Sequence, residues 1–171
     1  FEIEGISVGD SLLDYFSEED INNANKHQYR DSSKYPNTKF LIVSFKHSLN
    51  LEEYQKLQFV VKKNDKKKII HAVEGFIYFE RNISECPKIK DKIVTQLTDF
   101  INNENVTIYD DDGKHGQDKT GETTVKDTII KFPSGAVFRV MCTDWSKKMK
   151  FKDELRVVIN SVEFSNYLRS L

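Results

Sequence analysis

Apolar and polar positions fall into two similar passages along the chain, each a helical stretch followed by three strand-like runs. In the first, residues 1–8 alternate as an edge strand would, and two short capped helices follow. Ser11 to Asp14 has capping-box spacing, in which the hydroxyl accepts from a free backbone N–H and the carboxylate answers three residues later, and Ser17 to Asp20 repeats the device. Leu12, Leu13, Phe16 and Ile21 supply the apolar face, and the polar run 22–38 is expected to be a long connection. Residues 39–46, 56–63 and 67–80 are rich in β-branched and aromatic side chains and predict three strands, with Asn64-Asp65 turning the second into the third.

The second passage opens with a helix over 84–103, where Cys86, Ile89, Ile93, Leu97, Phe100 and Ile101 recur at helical spacing and Lys88, Lys92, Gln96 and Asp99 take the other faces. Pro87 falls in the first turn, where its missing N–H is not needed. A glycine-punctuated loop over 110–121 leads to strands over 123–132, 136–143 and 154–160, the first two joined by Pro133-Ser134-Gly135. A last helix over 163–171 places Phe164, Tyr167, Leu168 and Leu171 on one face. Helices grouped before runs of adjacent strands predict an α+β fold, an antiparallel sheet with helices packed on one face, in a single domain of residues 1–171 whose pattern halves are about 1–82 and 83–171. The halves share a pattern and no residue-level repeat.

At 171 residues, 38% hydrophobic and 31% charged, the chain is long enough to bury a sizeable core and too short for a second full domain. Its 26 basic and 27 acidic residues nearly cancel, so no global field favours nucleic acid or an anionic surface, and such a partner would have to be met by a local patch. No nucleic-acid partner is expected. The longest apolar runs, such as Phe40-Leu41-Ile42-Val43, fall far short of the roughly 20 residues that a membrane helix needs, so no transmembrane segment is expected. The first residue is Phe1, not Met, which leads us to expect a removed N-terminal segment and permits a signal peptide. The excess of Lys over Arg, with frequent Asn and Ile, fits an AT-rich coding genome and carries no mechanism.

Candidate chemistry is sparse. Gly9-Asp10-Ser11-Leu12 resembles the nucleophile block of GDSL-type esterases and lipases, and Asp112-Gly113-Lys114-His115 resembles that family's acid and base, which implies a catalytic set of Ser11, Asp112 and His115. Here, however, the serine follows a short alternating run, the Asp-x-x-His precedes three more strands, and the capping box accounts for the same four letters without chemistry. Asp110-Asp111-Asp112-Gly113 fails as a calcium loop, because aligning its glycine puts Ile108 at the first ligand and Lys119 where a bidentate Glu belongs. His27, His47, His71 and His115 have no helically spaced partner and no pairing with cysteine, so no metal and no cofactor is expected, and His71 is expected to be structural. The lysine clusters 62–68 and 147–150 fall at turns between strands, where they keep hairpin tips soluble. Trp145, the single tryptophan, sits with Asp144 beside the second cluster and is the candidate anchor for a partner or ligand.

Residues 5–13, the helix containing Cys86, and Cys142-Thr143-Asp144-Trp145-Ser146 resemble uncharacterised exported proteins of marine alphaproteobacteria of the Pelagibacter type. The resemblance implies an exported, periplasmic or envelope-associated chain of marine bacterial origin and assigns no activity. In architecture alone, the helix-then-strands order is similar to the beta-lactamase-inhibitor-protein and outer-membrane-assembly lipoprotein folds, which act by binding other proteins. Cys86 shares a helix face with Ile89, Ile93 and Leu97, and Cys142 alternates in register with Phe138 and Val140, so both thiols should enter one helix-on-sheet layer and form a disulfide. Two reduced, buried thiols in a cytosolic chain are the alternative. The expected function is non-catalytic binding outside the cytoplasm, with another envelope protein or a small ligand as partner. A small GDSL-like esterase using Ser11 is the alternative.

Overall fold

The computed structural model describes residues 1–29, 39–45, 51–80, 82–101 and 105–171. The fold is α+β, and its sheet is mostly antiparallel. In chain order the elements are β1 (Glu2–Ile3), β2 (Ile6–Ser7), α1 (Glu18–Asn23), β3 (Asn25–Gln28), β4 (Phe40–Ser44), β5 (Lys56–Lys62), β6 (Ile70–Phe79), α2 (Cys86–Ile101), β7 (Thr107–Asp110), β8 (Gly113–Lys114), β9 (Thr124–Lys131), β10 (Val137–Asp144), β11 (Asp153–Asn160) and α3 (Val162–Arg169). Short 3₁₀ turns cover Leu12–Asp14, Ile83–Glu85 and Lys147–Met149. The chain forms two compact units, one of Phe1–Gly75 with Ile159–Leu171 and one of Phe76–Val158, so β6 and β11 supply residues to both.

In the first unit the strand order is β3-β4-β5-β6, and β4 runs antiparallel to both β3 and β5. Phe40, Val60, Ala72 and Phe164 form a buried cluster, flanked by Tyr29, Ile42, Tyr167 and Leu168. The rings of Phe40 and Phe164 meet edge-on at 5.0 Å, and Ser161 starts α3 by accepting the Phe164 N–H at 3.1 Å. The last helix, grouped with the second passage by its position in sequence, therefore packs within the first unit. The expected edge strand over 1–8 is instead a hairpin of β1 and β2, because Glu4 and Gly5 both take positive φ, 54° and 75°, as a primed turn requires. Glutamate is a poor turn residue there. Its carboxylate accepts the backbone N–H groups of Glu52, Glu53 and Tyr54 at 3.0, 2.8 and 3.0 Å, which holds the conformation. Of the expected connection over 22–38, Asn25–Gln28 is strand β3, and 30–38 lie outside the described residues, as do Lys46 and His47.

In the second unit the order is β11-β10-β9-β7, with β8 also pairing β9. β9 and β10 are joined antiparallel over eight positions, from Val137↔Lys131 to Asp144↔Thr124. The helix α2 packs on β10, to which Cys86 is bonded, and Cys86, Leu97 and Ile101 are buried. Phe100, expected on that face, is 80% exposed, because it lies about 100° round the helix from Ile101. Lys90 is buried in the stripe instead, where its ammonium donates to the Thr128 hydroxyl at 2.5 Å and lies 3.9 Å from Asp110. The far end of the expected helix, Asn102 and Asn103, lies outside the described residues.

Candidate functional site

The turn from β10 to β11, residues 145–152, is held at both ends before its side chains are considered. The Trp145 backbone N–H donates to the Asp153 carboxylate at 2.9 Å, and the Ser146 N–H donates to the Thr123 hydroxyl oxygen at 3.0 Å. Thr123 in turn donates its hydroxyl to Asp118 at 2.6 Å. Asp118 also accepts from the Thr120 hydroxyl at 2.7 Å and from the Thr123 backbone at 3.0 Å, and these donors hold its carboxyl far below the usual range. Burial pushes the Asp153 carboxyl up, and its bond from Trp145 pulls the other way.

On this frame stands an aromatic stack. The Trp145 ring lies 4.5 Å from His115 and 4.8 Å from Phe151, the latter edge-on. Trp145 is half-buried, and its indole N–H is buried with no hydrogen-bond partner among the described residues. Burial depresses the His115 pKa, and the Arg156 charge adds to the effect, so the ring against the indole is the neutral imidazole. Its Nδ1 faces the Gln117 N–H at 3.3 Å as acceptor, which leaves the proton on the other nitrogen. Phe151 is 58% exposed at the outer end, between Lys150 and Lys152. Asp144 closes β10 as an exposed residue opposite Thr124.

Cys86 and Cys142 are joined in a disulfide with a Cα–Cα distance of 5.9 Å, as the facing helix and strand positions predict. The bond ties the first turn of α2 to β10 three residues before Trp145, so the strand that carries the stack is anchored by a helix.

The residues of the esterase resemblance are engaged locally. Ser11 caps the 3₁₀ turn Leu12–Asp14, accepting the Leu13 N–H at 3.1 Å and donating its hydroxyl to the Lys67 carbonyl at 2.6 Å, while Asp14 completes the box from 3.2 Å. An open cleft of about 300 Å³ in the same unit is lined by Leu13, Glu18, Ile21, Asn22, Lys66 and Lys68. Asp112 accepts the Asp127 N–H at 3.0 Å, and Asp110 accepts the Thr128 hydroxyl at 2.6 Å, so the acidic run serves strand pairing. Among the described residues no cluster of His, Cys, Asp and Glu is arranged to hold a metal ion.

His71 is buried in β6, and its Nδ1 lies 3.4 Å from the Ser161 hydroxyl and 3.7 Å from Glu163, which pairs with Lys62 at 2.7 Å. A catalytic triad addresses serine and carboxylate through opposite ring nitrogens. Here both approach one nitrogen, and the serine caps α3. Reading the sequence singled out Trp145 but missed Phe151 and Asp153. The available signal was an apolar residue placed between lysines in a turn. Compared with models of protein families, with curated proteins and with solved structures, the chain matches none.

Proposed function

We propose that this chain is a non-catalytic binding protein working outside the reducing cytoplasm, in the periplasm or at the envelope, and that it meets its partner with the β10–β11 turn. The observation that carries this is the stack of His115, Trp145 and Phe151, a rigid aromatic group on a clamped turn with its outer ring in solvent. Rigid aromatics give large contact area at small entropic cost, which is why they anchor interfaces. The Cys86–Cys142 bond fits an oxidising compartment. Engagement of the Ser11 hydroxyl on both sides supports a capping role over a nucleophilic one.

Three measurements test the proposal. A photo-reactive residue at position 151 should cross-link a partner in cells more strongly than one at exposed His27, and equal labelling overturns the contact surface. Wild type and Ser11→Ala should show the same background rate on short-chain esters. Turnover abolished by that substitution restores the esterase. Two alkylatable thiols in protein from its native compartment overturn the export assignment.

A further inference from the structure

We infer that the β10–β11 turn is a docking surface for membranes rich in anionic lipid, with Phe151 entering the interface and lysines meeting the headgroup phosphates. This rests on the proposed role of the turn as contact surface and names its partner.

Residues 145–152 carry four lysines, Lys147, Lys148, Lys150 and Lys152, and no carboxylate, on a chain whose net charge is -1. All four are exposed. The nearby acids are engaged or few: Glu122 pairs with Lys148 at 3.0 Å, Asp153 accepts the Trp145 N–H, and Asp144 lies at the strand end. Lys150 sits at φ 57°, a left-handed conformation that a lysine rarely adopts, immediately after the turn Lys147–Met149 and before Phe151. The result is a lysine on each side of one solvent-facing ring that is seated edge-on against Trp145.

An aromatic ring that partitions below the headgroups while flanking ammonium groups stay among the phosphates is the arrangement by which peripheral proteins hold an anionic leaflet. A protein partner of stable affinity calls for a broad apolar patch, and Phe151 is the one large exposed hydrophobic in this segment among the described residues. The other lysine cluster, 62–68, also has a left-handed lysine, Lys68 at φ 51°, but it contains a carboxylate, Asp65, and no aromatic residue to enter an interface.

Trp145 supplies the probe, since it is the single tryptophan and touches Phe151. Vesicles of phosphatidylcholine mixed with phosphatidylglycerol, with brominated acyl chains, should quench its fluorescence, and phosphatidylcholine alone should not. Phe151→Ser should weaken vesicle binding several-fold. Lys147→Gln and Lys152→Gln, which leave the stack intact, should each weaken it by roughly fivefold. Added salt should do the same. Equal binding to neutral vesicles, unchanged binding by the lysine variants, or binding of soluble polyphosphate without vesicles each overturns the inference. Cross-linking at position 151 with no vesicle binding overturns the lipid partner alone, whereas failure of both overturns the contact surface itself.

Discussion

Asp127 shows how a single residue sets a large energetic stake. It lies 1% exposed in β9, and Arg139 of β10 holds one carboxylate oxygen with its Nε, at 3.0 Å, and its Nη2. Burial pushes the carboxyl pKa up and the guanidinium pulls it back, while the second oxygen has no hydrogen-bond partner among the described residues. Arg139→Ala would leave that charge buried and unpaired, so we expect a loss of about 3–5 kcal/mol in urea denaturation, with much of it recovered by adding Asp127→Asn. A loss below about 1 kcal/mol would mean that water reaches the carboxylate. Ser11 is a smaller case of the same kind. Ser11→Ala removes an N-cap and a bond to the Lys67 carbonyl, which should cost about 0.5–2 kcal/mol, and an unchanged melting curve would contradict the capping role.

Among the elements, β10 depends on its covalent link to α2. Cys86 and Cys142 are 56 positions apart, and closing such a loop restricts the unfolded chain, so Cys86→Ala with Cys142→Ala should lower stability by about 2–4 kcal/mol. Reductant should destabilise the wild type and leave the double variant unaffected. In β6 the critical position is Gly75, where an added Cβ would stand 2.6 Å from Cδ1 of the Tyr54 ring. Gly75→Ala should therefore cost about 1–3 kcal/mol, and far less in a Tyr54→Ala background, because the ring is what it displaces. Strands β5, β6, β9, β10 and β11 were legible from alternation and β-branched content, since each buries apolar side chains. β3 was not, because Asn25, Lys26, His27 and Gln28 are polar and their strand conformation comes from pairing with β4. The β1–β2 turn was hidden for a related reason: Glu4 holds positive φ through N–H groups about fifty residues downstream, which no local pattern reveals. At the candidate site, scarcity drew attention to Trp145, but its contacts with His115 and Phe151 are set by strand register and loop clamps.

For the molecule as a whole, acidity should act through the two histidines that folding shields among the described residues, one in each compact unit. Burial depresses the pKa of His71 in β6 below its ordinary 6.5, more than the facing Glu163 and Asp65 carboxylates raise it, and Lys62 adds to the depression. Burial and the Arg156 charge do the same to His115 against opposing Glu154 and Asp118. In the unfolded chain both rings take protons near the ordinary value, so below it the unfolded state binds more protons than the native one. Stability should accordingly be full above 6.5 and fall as pH drops through the window toward the depressed native values. The carboxylates held low, Glu4, Asp10, Asp65, Asp118 and Glu163, add losses only in stronger acid, from the ordinary carboxylate range downward. Denaturation midpoints taken between about pH 7 and pH 5 should decline for the wild type and much less for His71→Asn with His115→Asn. An equal decline in both proteins would mean that these two rings do not carry the acid sensitivity, and a flat wild-type profile would mean that neither ring is shielded in solution.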